Sequence, residues 1–157
     1  MVLKLILATM VGAAVRSRYA EPAAPKAIVA TAPDDLEMEP CPVEPSWIIA
    51  GKPIARRSLH SRSADDQATT AIWDCTAGTF HWHFGWDETV VILEGEVRVT
   101  GEDGAERVLK VGDIAYFPAG SSAIWHIDDY VRKIAFGRRE FPGAVNMALK
   151  LRDKFRR

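Results

Sequence analysis

A chain of 157 residues with 48% hydrophobic and 26% charged residues can bury one real hydrophobic core and reads as one globular domain. Its formal net charge of −1 provides no field for nucleic acid, and nowhere do basic and aromatic residues interleave as such a surface requires. The two cysteines, Cys41 and Cys75, make no disulfide framework and have no metal-ligand spacing, which fits free thiols in a reducing compartment.

Residues 1–15 (MVLKLILATMVGAAV) place an apolar stretch of about eleven residues behind one lysine. That is the size of a signal-peptide core and too short to span a bilayer. The basic flank is weak and the small-residue sites near Ala13 and Ala14 make a poor cleavage signal. The expectation is a cytoplasmic protein with an amphipathic or dimer-covering N-terminal helix and no membrane contact. Export or membrane attachment through residues 1–15 is the alternative. From Glu21 to Pro45 the chain is rich in alanine and proline and carries an acidic run (DDLEMEPCPVE, 34–44), so an extended arm or linker is predicted. Residues 1–45 thus form one N-terminal region.

Between residues 46 and 140 the pattern changes to short β-rich runs separated by Gly, Asp and Pro. The predicted strands are 46–50, 68–75, 79–84, 89–95, 96–100, 106–111, 113–118, 122–127 and 132–138. Glu94-Gly95 is expected to form a tight turn between two of them, with Gly95 at positive φ, and Glu102-Asp103-Gly104 to close a hairpin. His60, in RRSLHSRS, reads as a surface-loop histidine. Strands this closely spaced, without helical patterns between them, indicate an antiparallel all-β sandwich or barrel. Residues 141–157 are basic and helical in pattern from about Ala144 to Lys154, read either as a solvated tail or as a contact with a partner subunit or anionic surface.

The chemistry concentrates in GTFHWHFGWDETVVILEG (78–95). Residues two apart in a strand share a face, so His81 and His83 project together while Phe80, Trp82 and Phe84 line the opposite face. Two imidazoles on one rigid strand can chelate a metal ion, and Glu88, just past the Gly85-Trp86-Asp87 break, is placed to complete a facial triad. Two histidines and a carboxylate suit Fe, Mn, Ni or Zn and leave positions open for water or substrate. The competing reading is a metal-free pocket in which the histidines act as hydrogen-bonding or acid–base groups. Arg132 and Lys133 lie on opposite-facing neighbouring positions, where one of them can reach an acidic residue such as Asp128 or Asp129, or an anionic ligand.

The pattern Gly78-x2-His81-x-His83-x4-Glu88-x6-Gly95, followed by Gly112-x5-Pro118-x-Gly120, resembles the two motifs of the cupin superfamily. Trp73-Asp74, Asp87-Glu88-Thr89, Trp125 and Arg132-Lys133 are similar to the DUF861-type branch that includes ureidoglycine aminohydrolase and the ethanolamine-utilisation cupin. The resemblance covers about residues 47–140. It implies an all-β, double-stranded β-helix barrel of the jelly-roll type, with an N-terminal arm and a short C-terminal helix, usually homodimeric and with its site inside. One departure stands out: the second motif's histidine is replaced by Ala123. His126 lies three residues farther on and faces the other way in a regular strand, so it substitutes only if a bulge reverses it. Tyr116, Trp125 and His126 complete the candidate pocket. Two functions follow: a metal-dependent enzyme acting on a small polar metabolite (hydrolase or aminohydrolase, oxygenase or isomerase) with His81, His83 and Glu88 as ligands, or a non-catalytic ligand-binding, sensor or accessory protein.

Overall fold

The structure, a computed structural model, describes residues 27–140. The N-terminal apolar segment and the C-terminal helix expected from the sequence lie outside these residues. Among the described residues eight strands run β1 (Glu39–Pro40), β2 (Ile48–Gly51), β3 (Ala55–Arg62), β4 (Ala68–His83), β5 (Asp87–Gly101), β6 (Glu106–Lys110), β7 (Ile114–Phe117) and β8 (Ser122–Arg138). All pairings are antiparallel, in the order β1-β3-β4-β8-β5-β6, with β2 added to β4 and β7 added to β5. The result is the all-β jelly-roll architecture that the resemblance implies. Its core is Phe80, Val90, Ile92, Val97, Trp125, Ile127 and Val131, each at most 2% exposed. Fully burying side chains of this size contributes about 1.5–3 kcal/mol apiece.

Three long strands carry the barrel, and each bends without breaking. The two predicted segments 68–75 and 79–84 belong to the single strand β4, and 89–95 and 96–100 to the single strand β5. The turn expected at Glu94-Gly95 is therefore a bulge: the register of β5 against β8 shifts at Ile92/Glu94 and again at Gly95/Arg98, and Gly95 has φ +70°. Positive φ is thus present, but inside a strand. The Glu102–Gly104 hairpin does join β5 to β6, with Gly104 at φ +73° and the Asp103 carboxylate accepting the Ala105 N–H at 3.0 Å.

His60 lies in strand β3, not in a loop. Only Ala55 is buried in that strand, because β3 lies near the open edge of the sheet and shows one face to water. A polar sequence without apolar alternation hides such a strand. The arm ahead of the barrel also packs in: Val43 is 4% exposed, and the Cys41 N–H donates to the Ala55 carbonyl at 2.9 Å. Cys41 and Cys75 are both free. Cys75 is fully buried, and burial pushes its thiol up to about 12, so it packs as a small apolar group.

Candidate functional site

The inward-facing parity of β4 changes along its length. Trp73 and Cys75 point inward, but so do Phe80 and Trp82, an odd number of residues later. The switch falls at the register shift between Thr76 and Gly78. It turns the aromatic face of Phe80-His81-Trp82-His83-Phe84 into the barrel and the histidine face out. His81 and His83 are exposed, their rings side by side at 6.3 Å, with the His83 ring edge-on to Trp47 at 5.0 Å.

Inside the barrel stands a different polar group. Lys133 on β8 is 2% exposed and pairs across the sheet with Trp73 on β4 and Ile92 on β5. Its Nζ donates to Glu88 Oε1 at 2.7 Å, and Glu88 is itself only 9% exposed. The ammonium lies 4.4 Å from the centre of the Trp125 ring, 5.0 Å from Trp73 and 5.7 Å from Trp82. Three indole faces therefore supply the cation with attraction that water no longer provides. Trp73 and Trp82 meet edge-to-face at 5.6 Å, and Trp73 and Trp125 at 6.0 Å. The small Ala123 sits directly opposite Trp82, the position where the second cupin motif would place a histidine.

A cavity of about 180 Å³ opens onto this pair; Trp73, Trp82, Trp86, Glu88 and Lys133 are among its lining residues. On the other side of Trp82 a cleft of about 540 Å³ is lined by Trp47, His83, Trp86 and Glu88 among others. The structure thus brings His83 and Glu88 to one cleft and leaves His81 on the outer surface. Trp125 is 1% exposed in the interior beside Lys133. Tyr116 is 59% exposed and lines a separate groove between β6 and β7, its hydroxyl donating to Asp87 Oδ1 at 3.0 Å. His126 faces the outer surface: its Nδ1 hydrogen-bonds the Thr79 hydroxyl at 2.7 Å and its Nε2 the Asp128 carboxylate at 2.9 Å. The strand parity at Trp125 leaves it no path inward.

The metal set expected from the motif does not fit these positions. Glu88 already faces a cation, the Lys133 ammonium, and among the described residues no three His, Cys, Asp or Glu side chains converge as a metal site. Of Arg132 and Lys133, one of which is expected to reach an acidic residue such as Asp128 or Asp129, or an anion, Lys133 is paired with Glu88. Arg132, facing the opposite way, bonds Asp34 and the Pro33 carbonyl in the arm. The signal that could have found Lys133 is its even spacing from Ala123 and Trp125, which puts all three on one face of one strand.

Asp87 ties the start of β5 to β7 and the loop after it. It accepts the Ala119 N–H at 3.0 Å and the Tyr116 hydroxyl, which together hold its carboxyl below the usual range, while the same bond pushes Tyr116 up. A depressed folded-state value gives stability that is present above the ordinary carboxylate value of about 3.9 and is lost as the pH falls through the folded value. Urea midpoints should therefore show wild type above Asp87→Asn at pH 7, with the gap narrowing as the pH falls below about 3.9. A gap unchanged over that fall would refute a role for the charge.

Long antiparallel strands paired in this order form a jelly-roll of the cupin type. Residues 62–135 match the family of EutQ-like cupin domains, and the chain belongs to the cupin superfamily, in its EutQ-like, DUF861-type branch. Among solved structures it is similar to a DUF861-family protein of unknown function from Pseudomonas syringae pv. tomato, at 23% identity and a TM-score of 0.60, over 64% of this chain and 44% of that one. The chain thus spans less than half of that protein's length. It is also similar to a putative ethanolamine utilization protein Q from Salmonella typhimurium, at 19% identity and a TM-score of 0.51, over 66% of this chain and 97% of that one. A DUF861-family protein from Thermotoga maritima is 38% identical over 43% of this chain and 76% of its own, with a TM-score of 0.40. The first two likenesses speak to the fold. No curated protein matches the sequence. Among the described residues no helix is long and apolar enough to cross a membrane.

Proposed function

We propose that the protein binds a small polar metabolite in the barrel cavity, on a floor made by Glu88 and Lys133, without a protein-held metal. The observation that carries this reading is the ion pair itself. Taking two charges out of water costs several kcal/mol per ion, and apolar side chains of the same volume serve a core as well or better. A 2.7 Å pair opening onto a 180 Å³ cavity gains its use from what enters that cavity. The volume is below the roughly 300–1,000 Å³ of drug-sized sites, so the ligand is small. Three tryptophans give it apolar walls and a ready optical signal.

The metal-dependent enzyme is the second reading, favoured by one observation: His83 and Glu88 line the same outer cleft. Metal analysis of tag-free protein separates the two. The binding reading expects substoichiometric Fe, Mn, Ni and Zn, unchanged in His81→Ala/His83→Ala. Stoichiometric metal lost in that variant would overturn it. A thermal-shift and tryptophan-quenching screen of small polar metabolites should return saturable hits that vanish in Glu88→Leu/Lys133→Met. Hits retained by that variant would place binding elsewhere.

A further inference from the structure

We infer that the ligand of this cavity carries an oxyanion, a phosphate or a carboxylate, held at the cavity mouth by Arg57, Arg62 and Arg139. The inference rests on the proposed cavity-binding reading and names the ligand's chemistry.

Just outside the 180 Å³ cavity lies a recess of about 60 Å³, large enough for a headgroup and little more. The two share Arg57, Thr69, Trp86 and Gly137 as lining, so they are successive chambers of one passage. The recess adds Arg62 and Arg139. Across both chambers four cations (Arg57, Arg62, Lys133 and Arg139) face two carboxylates, Glu88 and Asp66.

Neither carboxylate neutralises the mouth. Glu88 is engaged by Lys133, and Asp66 is 72% exposed and approaches Arg62 only at 3.6 Å. Among the described residues Arg57 makes no salt bridge. Arg139 lies over the Trp86 ring at 5.0 Å, which positions its guanidinium without using its N–H donors. Guanidinium forks bind carboxylate and phosphate oxygens in pairs, and free forks at a concave mouth are what such a group requires.

The hydrogen-bond inventory inside points the same way. Lys133 has three N–H donors and one carboxylate partner, and the buried indole N–H of Trp73, which also lines the cavity, has no acceptor among the described residues. A chamber with surplus donors suits a ligand rich in acceptors.

Gly137 sits where the chambers join. A Cβ there would fall 2.9 Å from Trp86 Nε1 and 3.0 Å from Thr69 Oγ1, so the passage depends on the missing side chain.

Tryptophan quenching and calorimetry on the tag-free full chain can test this with three probes: inorganic phosphate, butyrate and the neutral isostere butyramide. At least one of the two anions should bind saturably, at least tenfold more tightly than butyramide and more weakly as salt rises. Phosphate alone, or butyrate alone, would identify the headgroup. Arg57→Gln, at a largely exposed position of β3, should keep its melting temperature and lose at least tenfold in anion affinity. Gly137→Ala should lose a similar factor with every charge intact. Butyramide binding as well as butyrate, anion affinity unchanged in Arg57→Gln, or no anion bound at 10 mM (roughly tenfold above the millimolar upper end of metabolite affinities) would each overturn the inference. The cavity reading fails by a different result: anions that bind Glu88→Leu/Lys133→Met as tightly as wild type would leave the arginine mouth standing and remove the floor from the site.

Discussion

Gly95→Ala is expected to lower the melting temperature by at least about 10 °C, corresponding to a loss of some 4 kcal/mol at roughly 2–4 °C per kcal/mol for a chain of this size. Two costs combine. Gly95 has φ +70°, where an L side chain costs about 1–2 kcal/mol. Its Cβ would also lie 1.9 Å from the Tyr130 carbonyl oxygen and 2.9 Å from the carbonyl carbon. Those are backbone atoms of β8, which cannot rotate away as a side-chain tip would. Gly104 separates the two costs: it has φ +73°, but nothing lies within 4 Å of a Cβ built there. Gly104→Ala should therefore show only the conformational cost, a shift of roughly 2–8 °C by the same conversion. Thermal melts of the two variants side by side decide it. Equal shifts would mean that β5 and β8 do not approach so closely at the bulge.

That bulge also marks the limit of what the sequence discloses. The β-rich runs, the hairpin at Asp103-Gly104 and the shared face of His81 and His83 all follow from periodicity and turn chemistry, and each is present in the fold. Which face points inward does not follow. Period-two alternation fixes relative facing only as far as the next irregularity, and β4 is irregular between Thr76 and Gly78. A single shift there carries both histidines outside and both Phe80 and Trp82 inside. Bulges without a proline or a run of turn residues leave little trace in the sequence, and Gly95 looked like the end of a strand for the same reason. Strand β3 was hidden by its polarity.

The polar floor was half legible. Glu88 stood out through its motif, as a metal ligand. Lys133 was seen to face opposite to Arg132, and Asp34 and Glu88, their actual partners, lie 98 and 45 residues away in sequence. Pairings over such separations are set by the topology β4-β8-β5 and by nothing local. The three tryptophans come from positions 73, 82 and 125, which only the completed barrel brings within 6 Å of one ammonium.

Lys133→Met and Glu88→Leu should each destabilise the protein by about 3–5 kcal/mol, the cost of leaving a buried charge without its partner. Glu88→Leu should be the milder of the two. The ammonium it abandons still lies against three indole rings, an attraction of about 0.5–2 kcal/mol per ring at best, whereas the carboxylate left by Lys133→Met faces the same rings with the wrong sign. The double variant should recover to within about 1 kcal/mol of wild type, or exceed it, because methionine and leucine fill the space with no desolvation cost. Urea titrations of all four proteins measure the coupling directly, and several kcal/mol of non-additivity is expected. Additive losses would mean that the 2.7 Å contact between Lys133 and Glu88 contributes nothing as a pair. A recovered double variant has a second consequence: a barrel that folds as well without the pair does not hold it for stability. Loss of ligand binding in that well-folded protein would then assign the pair to the cavity's contents.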